Sequence, residues 1–149
     1  MKRLWIVGIL LAAVLTIDRF TKLAFMKASA PADVLRIGDI LTFTQHQNHG
    51  VIANLPVPLP IIVLLTLAAL LALVLLLKRT LDKGTTLQAA GLAIAIGGAL
   101  GNLWDRLQWS FVFDWILLFN RSIINVADIA IAVGLLVYLL ARPAKQPII

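Results

Sequence analysis

Aspartate supplies all the acidic chemistry in this chain, which has seven Asp and no Glu. Asp18 interrupts the apolar run LWIVGILLAAVLTIDRFTK, and Asp128 lies inside another, IINVADIAIAVGLLVYLL. Between them GNLWDRLQWSFVFDW adds Asp105 and Asp114. A charge in hydrocarbon costs at least about 2.5–3.5 kcal/mol, so carboxylates kept there usually have a function. Two carboxylates held together in a poorly hydrated place can share one proton, the device by which aspartic proteases activate water. Asp114, set in Phe-Val-Phe-Asp-Trp, would be expelled unless a partner held it.

The elements that must position these residues are membrane helices. A chain 61% hydrophobic and 13% charged has no soluble composition. Four apolar stretches read as spans, at about residues 4–26, 60–77, 87–103 and 123–140. Each approaches the ~20 residues needed to cross a ~30 Å core. The first follows Lys2 and Arg3 as a signal peptide would, but no clear small-x-small cleavage site directly follows Thr16 and the helical pattern runs on through Asp18 and Lys22, so it reads as a retained helix. With the N-terminus cytoplasmic, Lys2, Arg3, Lys78, Arg79, Lys83, Arg142 and Lys145 lie inside; Arg19, Lys22, Lys27, Arg36, Arg106 and Arg121 lie outside. The bias is small, yet the inner clusters hug the helix ends, and four spans return both termini to the cytoplasm. The formal charge of +6 follows from this topology; no basic stripe interleaved with aromatics points to nucleic acid. Without cysteine, and with only His46 and His49 and no HExxH, neither thiolate chemistry nor a metal site is expected, and no cofactor is called for.

The link KRTLDKGTT makes spans two and three a hairpin, while most non-membrane residues lie outside. Residues 27–60 read as a short strand or two lying on the membrane, ended by prolines. Residues 104–122 contain WSFVFDWILLF, an apolar-rich stretch too short to span, with Trp104, Trp109 and Trp115 suited to the interfacial belt. The fold class is thus an all-α membrane protein in one domain, with a small β-containing outer loop region. Asp18 falls ~21 Å along the first helix and Asp128 about 7–8 Å in from the outer side, similar depths in one leaflet. Asp18 and Lys22 are an i,i+4 pair, as are Asn102 and Arg106; Asn125 and Asp128 are i,i+3. Plainer readings fit the same spacings. Asn125 and Asp128 describe an N-cap with an acid in the first turn. Asp18–Lys22 and Asp105–Arg106 read as structural ion pairs, and Gly97, Gly98, Ala99 and Gly101 as close helix packing. His46 and His49 read as loop residues. Intramembrane Asp and Lys also suit a small proton-coupled transporter or channel, although that predicts polar residues in both leaflets.

The blocks DRFTK from Asp18, NHG from Asn48, GGALGNLWDR from Gly97, VFDW from Val112 and INVAD from Ile124 together resemble the bacterial lipoprotein signal peptidase (signal peptidase II) family. They stand in the family's order across nearly the whole chain. The resemblance implies an aspartic endopeptidase of the bacterial inner membrane, with its active site near the outer face. It would remove signal peptides from prolipoproteins, cutting before the diacylglyceryl-modified cysteine, with membrane lipids as its other partners. Position by position, the catalytic pair falls on Asp114 and Asp128. Asn48, Gly50, Asn102, Arg106 and Asn125 fall on binding or supporting positions; Asp18, Lys22 and Asp105 on structural ones. Two departures are Val51-Ile52-Ala53-Asn54 after NHG and the short Phe119-Asn120-Arg121-Ser122 segment between the two aspartates.

Overall fold

The computed structural model describes residues 1–27, 36–37, 40–50 and 57–141. The atypical segment at residues 51–54 and the basic residues Arg142 and Lys145 lie outside these. The described helices are α1 (Lys2–Lys27), α2 (Leu59–Lys83), α3 (Thr86–Trp109) and α4 (Val126–Leu140). The described strands are β1 (Arg36–Ile37), β2 (Leu41–Asn48), β3 (Val112–Leu118) and β4 (Ser122–Ile124). α1, α2 and α3 are long and apolar enough to cross a membrane, whereas α4 has 15 residues.

Three boundaries differ from the sequence reading, each for a local reason. KRTLDK continues α2, since Lys, Arg and Leu are good helix formers, so only Gly84 and Thr85 join it to α3. Thr85 starts α3 in a capping box with Gln88. At its other end α3 runs past residue 103 to Trp109, where Ser110 stops it in the left-handed conformation, φ 65°. The fourth apolar run loses its first residues to the sheet: Ser122–Ile124 pair with β3, and Asn125 caps the helix that follows.

The sheet is antiparallel in the order β1-β2-β3-β4. β1 and β2 answer to the strands expected within residues 27–60. β3 was not anticipated: VFDWILL is buried along its first five residues, so no polar alternation marks it as a strand. The described residues form a mostly helical bundle with a small β-containing region, as expected, and that region is a four-stranded antiparallel sheet. An irregularity between Phe43 and His46 shifts the register and sets His46 opposite Asp114. Trp115 is packed inside the protein rather than on its surface. It is 7% exposed and stacks on Phe25 of α1 at 4.0 Å, while Trp104 is exposed as expected.

α3 is the hub, packing against α1, α2 and α4. It buries small residues, among them Gly91, Ala95, Gly98 and Gly101, so its neighbours' backbones come close. A Cβ on Gly134 of α4 would lie 2.5 Å from both Ala95 N and Gly91 O. These are backbone atoms and cannot swing aside. A Cβ on Gly8 would meet nothing within 4 Å. Gly134→Ala should therefore lower the thermal unfolding midpoint in detergent by several degrees, an overpacking cost of about 1–3 kcal/mol. Gly8→Ala should leave it unchanged or slightly higher, since Ala favours a helix over Gly by about 1 kcal/mol. Equal midpoints for the two variants would contradict the α3–α4 contact.

Candidate active site

At one end of the bundle four charged side chains meet in the interior. Lys22 and Asp18 lie one helical turn apart on α1 and have no solvent exposure. Lys22 Nζ is 2.9 Å from Asp18 Oδ2, 2.7 Å from Asp105 Oδ2 and 3.0 Å from Asn102 Oδ1. An ammonium has three N–H donors, and here three oxygens face it. Asp105 also pairs with Arg19, whose guanidinium stacks on Trp109, 4.9 Å from the ring centroid. Two acids and two bases balance one another, as burial of charge demands. Asp18 Oδ1 accepts from Ala127 N at 3.0 Å, tying α1 to the start of α4. Gly101 makes room for that carboxylate, since a Cβ there would lie 2.6 Å from Asp18 Oδ2.

Asn102 carries this cluster across to two further carboxylates. Its Nδ2 donates to Asp128 Oδ1 at 2.8 Å, and its Oδ1 accepts from Asn125 Nδ2 at 3.2 Å. Asn125 Nδ2 also donates to Asp114 Oδ1 at 2.6 Å. Asp114 Oδ2 accepts from Asn48 Nδ2 at 2.9 Å, so β2, β3 and the α4 cap converge on one carboxyl group. Asn48 Oδ1 in turn accepts from Gly50 N at 3.0 Å, and Gly50 O from Arg106 Nη2 at 3.3 Å. Asp128 is half-buried and Asp114 1% exposed.

All ten residues singled out from sequence thus lie in one hydrogen-bonded assembly. Asp18–Lys22 pairs as expected, but Asp105 pairs with Arg19 and Lys22 rather than with Arg106. Adjacent helical residues point about 100° apart, so Asp105 faces α1 while Arg106 turns toward Gly50. The Asn125–Asp128 capping box is present, with Asp128 N donating to Asn125 Oδ1 at 3.0 Å and Asn125 N to Asp128 Oδ2 at 3.2 Å. Capping does not exhaust Asp128, since its Oδ1 also receives Asn102. His46, read from the sequence as a loop residue, lies instead in β2, in register with Asp114. Its spacing of two residues from Asn48 would have put both on one strand face.

Residues 10–142 match the family described as signal peptidase (SPase) II. The chain belongs to that family. The lipoprotein signal peptidase of Pseudomonas paraeruginosa (strain DSM 24068 / PA7) is 36% identical over 133 residues, covering 81% of this chain and 78% of the relative. That of Pelodictyon phaeoclathratiforme (strain DSM 5477 / BU-1) is 29% identical over 153 residues, 90% of each chain. The lipoprotein signal peptidase of Coxiella burnetii (strain Dugway 5J108-111) is 44% identical over 82 residues; this match spans half of the present chain and half of that relative. The fold is similar to that of a bacterial membrane enzyme solved by the in meso method at 2.3 Å resolution, with a TM-score of 0.78 at 23% identity, covering 90% of this chain and 85% of the other.

In this signal peptidase II family member, burial raises the Asp114 carboxyl from its ordinary 3.8 to about 6, aided by the Asp128 charge and opposed by the Asn48 and Asn125 amides and by Lys22. A carboxyl whose folded value is raised stabilises the fold fully below its unfolded value, and that contribution is lost as pH rises through the folded value. At 1.36 kcal/mol per pH step the contribution is about 3 kcal/mol. Melting of the wild-type protein in detergent should therefore shift downward between about pH 4 and pH 6. Asp114→Asn should flatten that part of the curve, whatever its absolute stability. Parallel curves for wild type and variant would show that Asp114 does not titrate in this window.

Proposed function

We propose that this protein is an aspartic endopeptidase that removes the signal peptide from diacylglyceryl-modified prolipoproteins, with Asp114 and Asp128 as its catalytic pair. The observation that carries the reading is the convergence of these two carboxylates, from β3 and the first turn of α4, on a shared pair of asparagine amides. Membership of the signal peptidase II family supports the same assignment.

The pair carries one proton between them, so its ionisation belongs to both groups. The ionised carboxylate takes a proton from water as the water oxygen attacks the scissile carbonyl carbon. The protonated carboxyl gives its proton to the carbonyl oxygen, producing a neutral tetrahedral diol. Collapse passes a proton from the diol back to the carboxylate that had protonated the carbonyl oxygen, while the carboxyl that took its proton from water delivers it to the leaving nitrogen as the C–N bond breaks. Asn102 and Asn125 keep the carboxylates oriented. Arg106, with one edge on Gly50 O, stands where it can also meet a substrate carbonyl or lipid phosphate through its planar fork.

The chain crosses the bacterial inner membrane four times as one peptidase domain, with both termini in the cytoplasm and the site near the outer face. At 1.5 Å per residue α4 is ~22 Å long, short of a ~30 Å core. Its polar cap therefore sits recessed below the outer surface, where an acylated peptide lying in the outer leaflet can reach it. The lipid anchors the substrate at that depth, and selection depends on acylation more than on peptide sequence. The confinement of the polar assembly to one end of the bundle argues against a transporter, which would need a polar path through both leaflets.

Asp114→Asn and Asp128→Asn should each reduce cleavage of a diacylglyceryl prolipoprotein by at least about 10²–10⁴-fold, the scale of general acid–base catalysis. Both variants should still insert and fold, as read by detergent gel filtration. Near-full activity in either folded variant would overturn the assignment.

A further inference from the structure

We infer that Lys22 is a positioning residue for the Asp114–Asp128 pair, its ammonium setting which way the Asn102 and Asn125 amides face, a role that rests on the peptidase reading above. Charge balance explains why Lys22 sits between Asp18 and Asp105. It does not require the third contact, 3.0 Å to the neutral Asn102 Oδ1.

An ammonium can only donate. Were the Asn102 amide turned over, its Nδ2 would face both Lys22 Nζ and Asn125 Nδ2, replacing two hydrogen bonds by two donor–donor contacts. A buried amide without partners costs roughly 1–3 kcal/mol per group, so the observed orientation is held firmly. With Oδ1 turned to Lys22, Nδ2 is left for Asp128 Oδ1 at 2.8 Å. The same Oδ1 accepts from Asn125 Nδ2 at 3.2 Å, which fixes the second amide. Asn125 Nδ2 then reaches Asp114 Oδ1 at 2.6 Å, while Asn125 Oδ1 accepts from Asp128 N at 3.0 Å. One charge on α1 thereby decides where a donor is presented to each carboxylate of the pair, although Lys22 touches neither.

The decisive test is a mutant cycle on peptide-bond cleavage. Lys22→Met combined with Asp18→Asn removes one base and one acid together and leaves the Arg19–Asp105 pair in place. Lys22 acts through Asn102, so this double variant, Asn102→Ala and the triple variant should all lose kcat to a similar degree, about 10- to 100-fold, with KM changed less than about threefold. A residue that merely supports the fold gives losses that multiply in the triple variant. Multiplying losses, or wild-type kcat in the folded double variant, would overturn the role. Should Lys22→Met/Asp18→Asn fail to fold, Lys22→Leu/Asp18→Asn, which likewise presents no donor to Asn102 Oδ1, takes its place in the cycle with the same two outcomes. Absence of cleavage by the wild-type protein would instead defeat the peptidase reading, and this role with it. Wild-type cleavage with an additive cycle would defeat the role of Lys22 alone.

Discussion

A primary ammonium with no solvent contact lies buried at one end of the helical bundle, and the arrangement around it constrains everything else. Lys22 can be charged there only because Asp18, Asp105 and Asn102 each present an oxygen within 3.0 Å. Those three acceptors come from α1 and α3, and Asp18 extends the network to the α4 backbone at Ala127. Removing one member of a buried ionic cluster leaves an uncompensated charge, at a cost of about 3–5 kcal/mol. The three helices are therefore committed to one rotation and one depth relative to each other. A greasy bundle without such a cluster has many near-equivalent packings, because lipid tails are as apolar as leucine.

Small residues let that commitment be met. Gly101 yields space to the Asp18 carboxylate, and Gly91 and Gly134 bring the α3 and α4 backbones together. The end of α3 that carries Asn102 and Asp105 is thereby brought against the capping turn of α4, where Asn125 and Asp128 wait. On the other side of that turn the sheet delivers Asp114, held against α1 by the stack of Trp115 on Phe25. Chemistry, in the proposed reading, happens where helix end, helix cap and strand meet. Behind it, Asp18, Lys22 and Asp105 have no solvent exposure.

Much of this was legible in the residues themselves. Asp18, Asp105, Asp114 and Asp128, set in or beside apolar runs, and the i,i+4 and i,i+3 spacings marked out the polar assembly, because carboxylates are so unwelcome in hydrocarbon. Helices α1, α2 and α3 were readable from hydropathy, whereas their ends were not: the polar residues of KRTLDK and WDRLQW end the apolar run without ending the helix. β3 was hidden for a different reason. Buried on both faces at Val112 to Ile116, it shows no period of two, and its identity as a strand depends on pairing with β2, some seventy positions away. Asp105 was misassigned to Arg106 since adjacency in sequence is divergence on a helix. The facing of the two amides, on which the pair of carboxylates depends, is a tertiary property that no local pattern records.

The central claim is that this buried assembly serves hydrolysis at a lipid-marked peptide bond. Mass spectrometry of the products formed by the purified protein from a diacylglyceryl prolipoprotein tests it most directly. The account predicts two products: a released signal peptide, and a mature chain whose new N-terminus is the lipidated cysteine. Uncut substrate, or cleavage at any other bond, would contradict it.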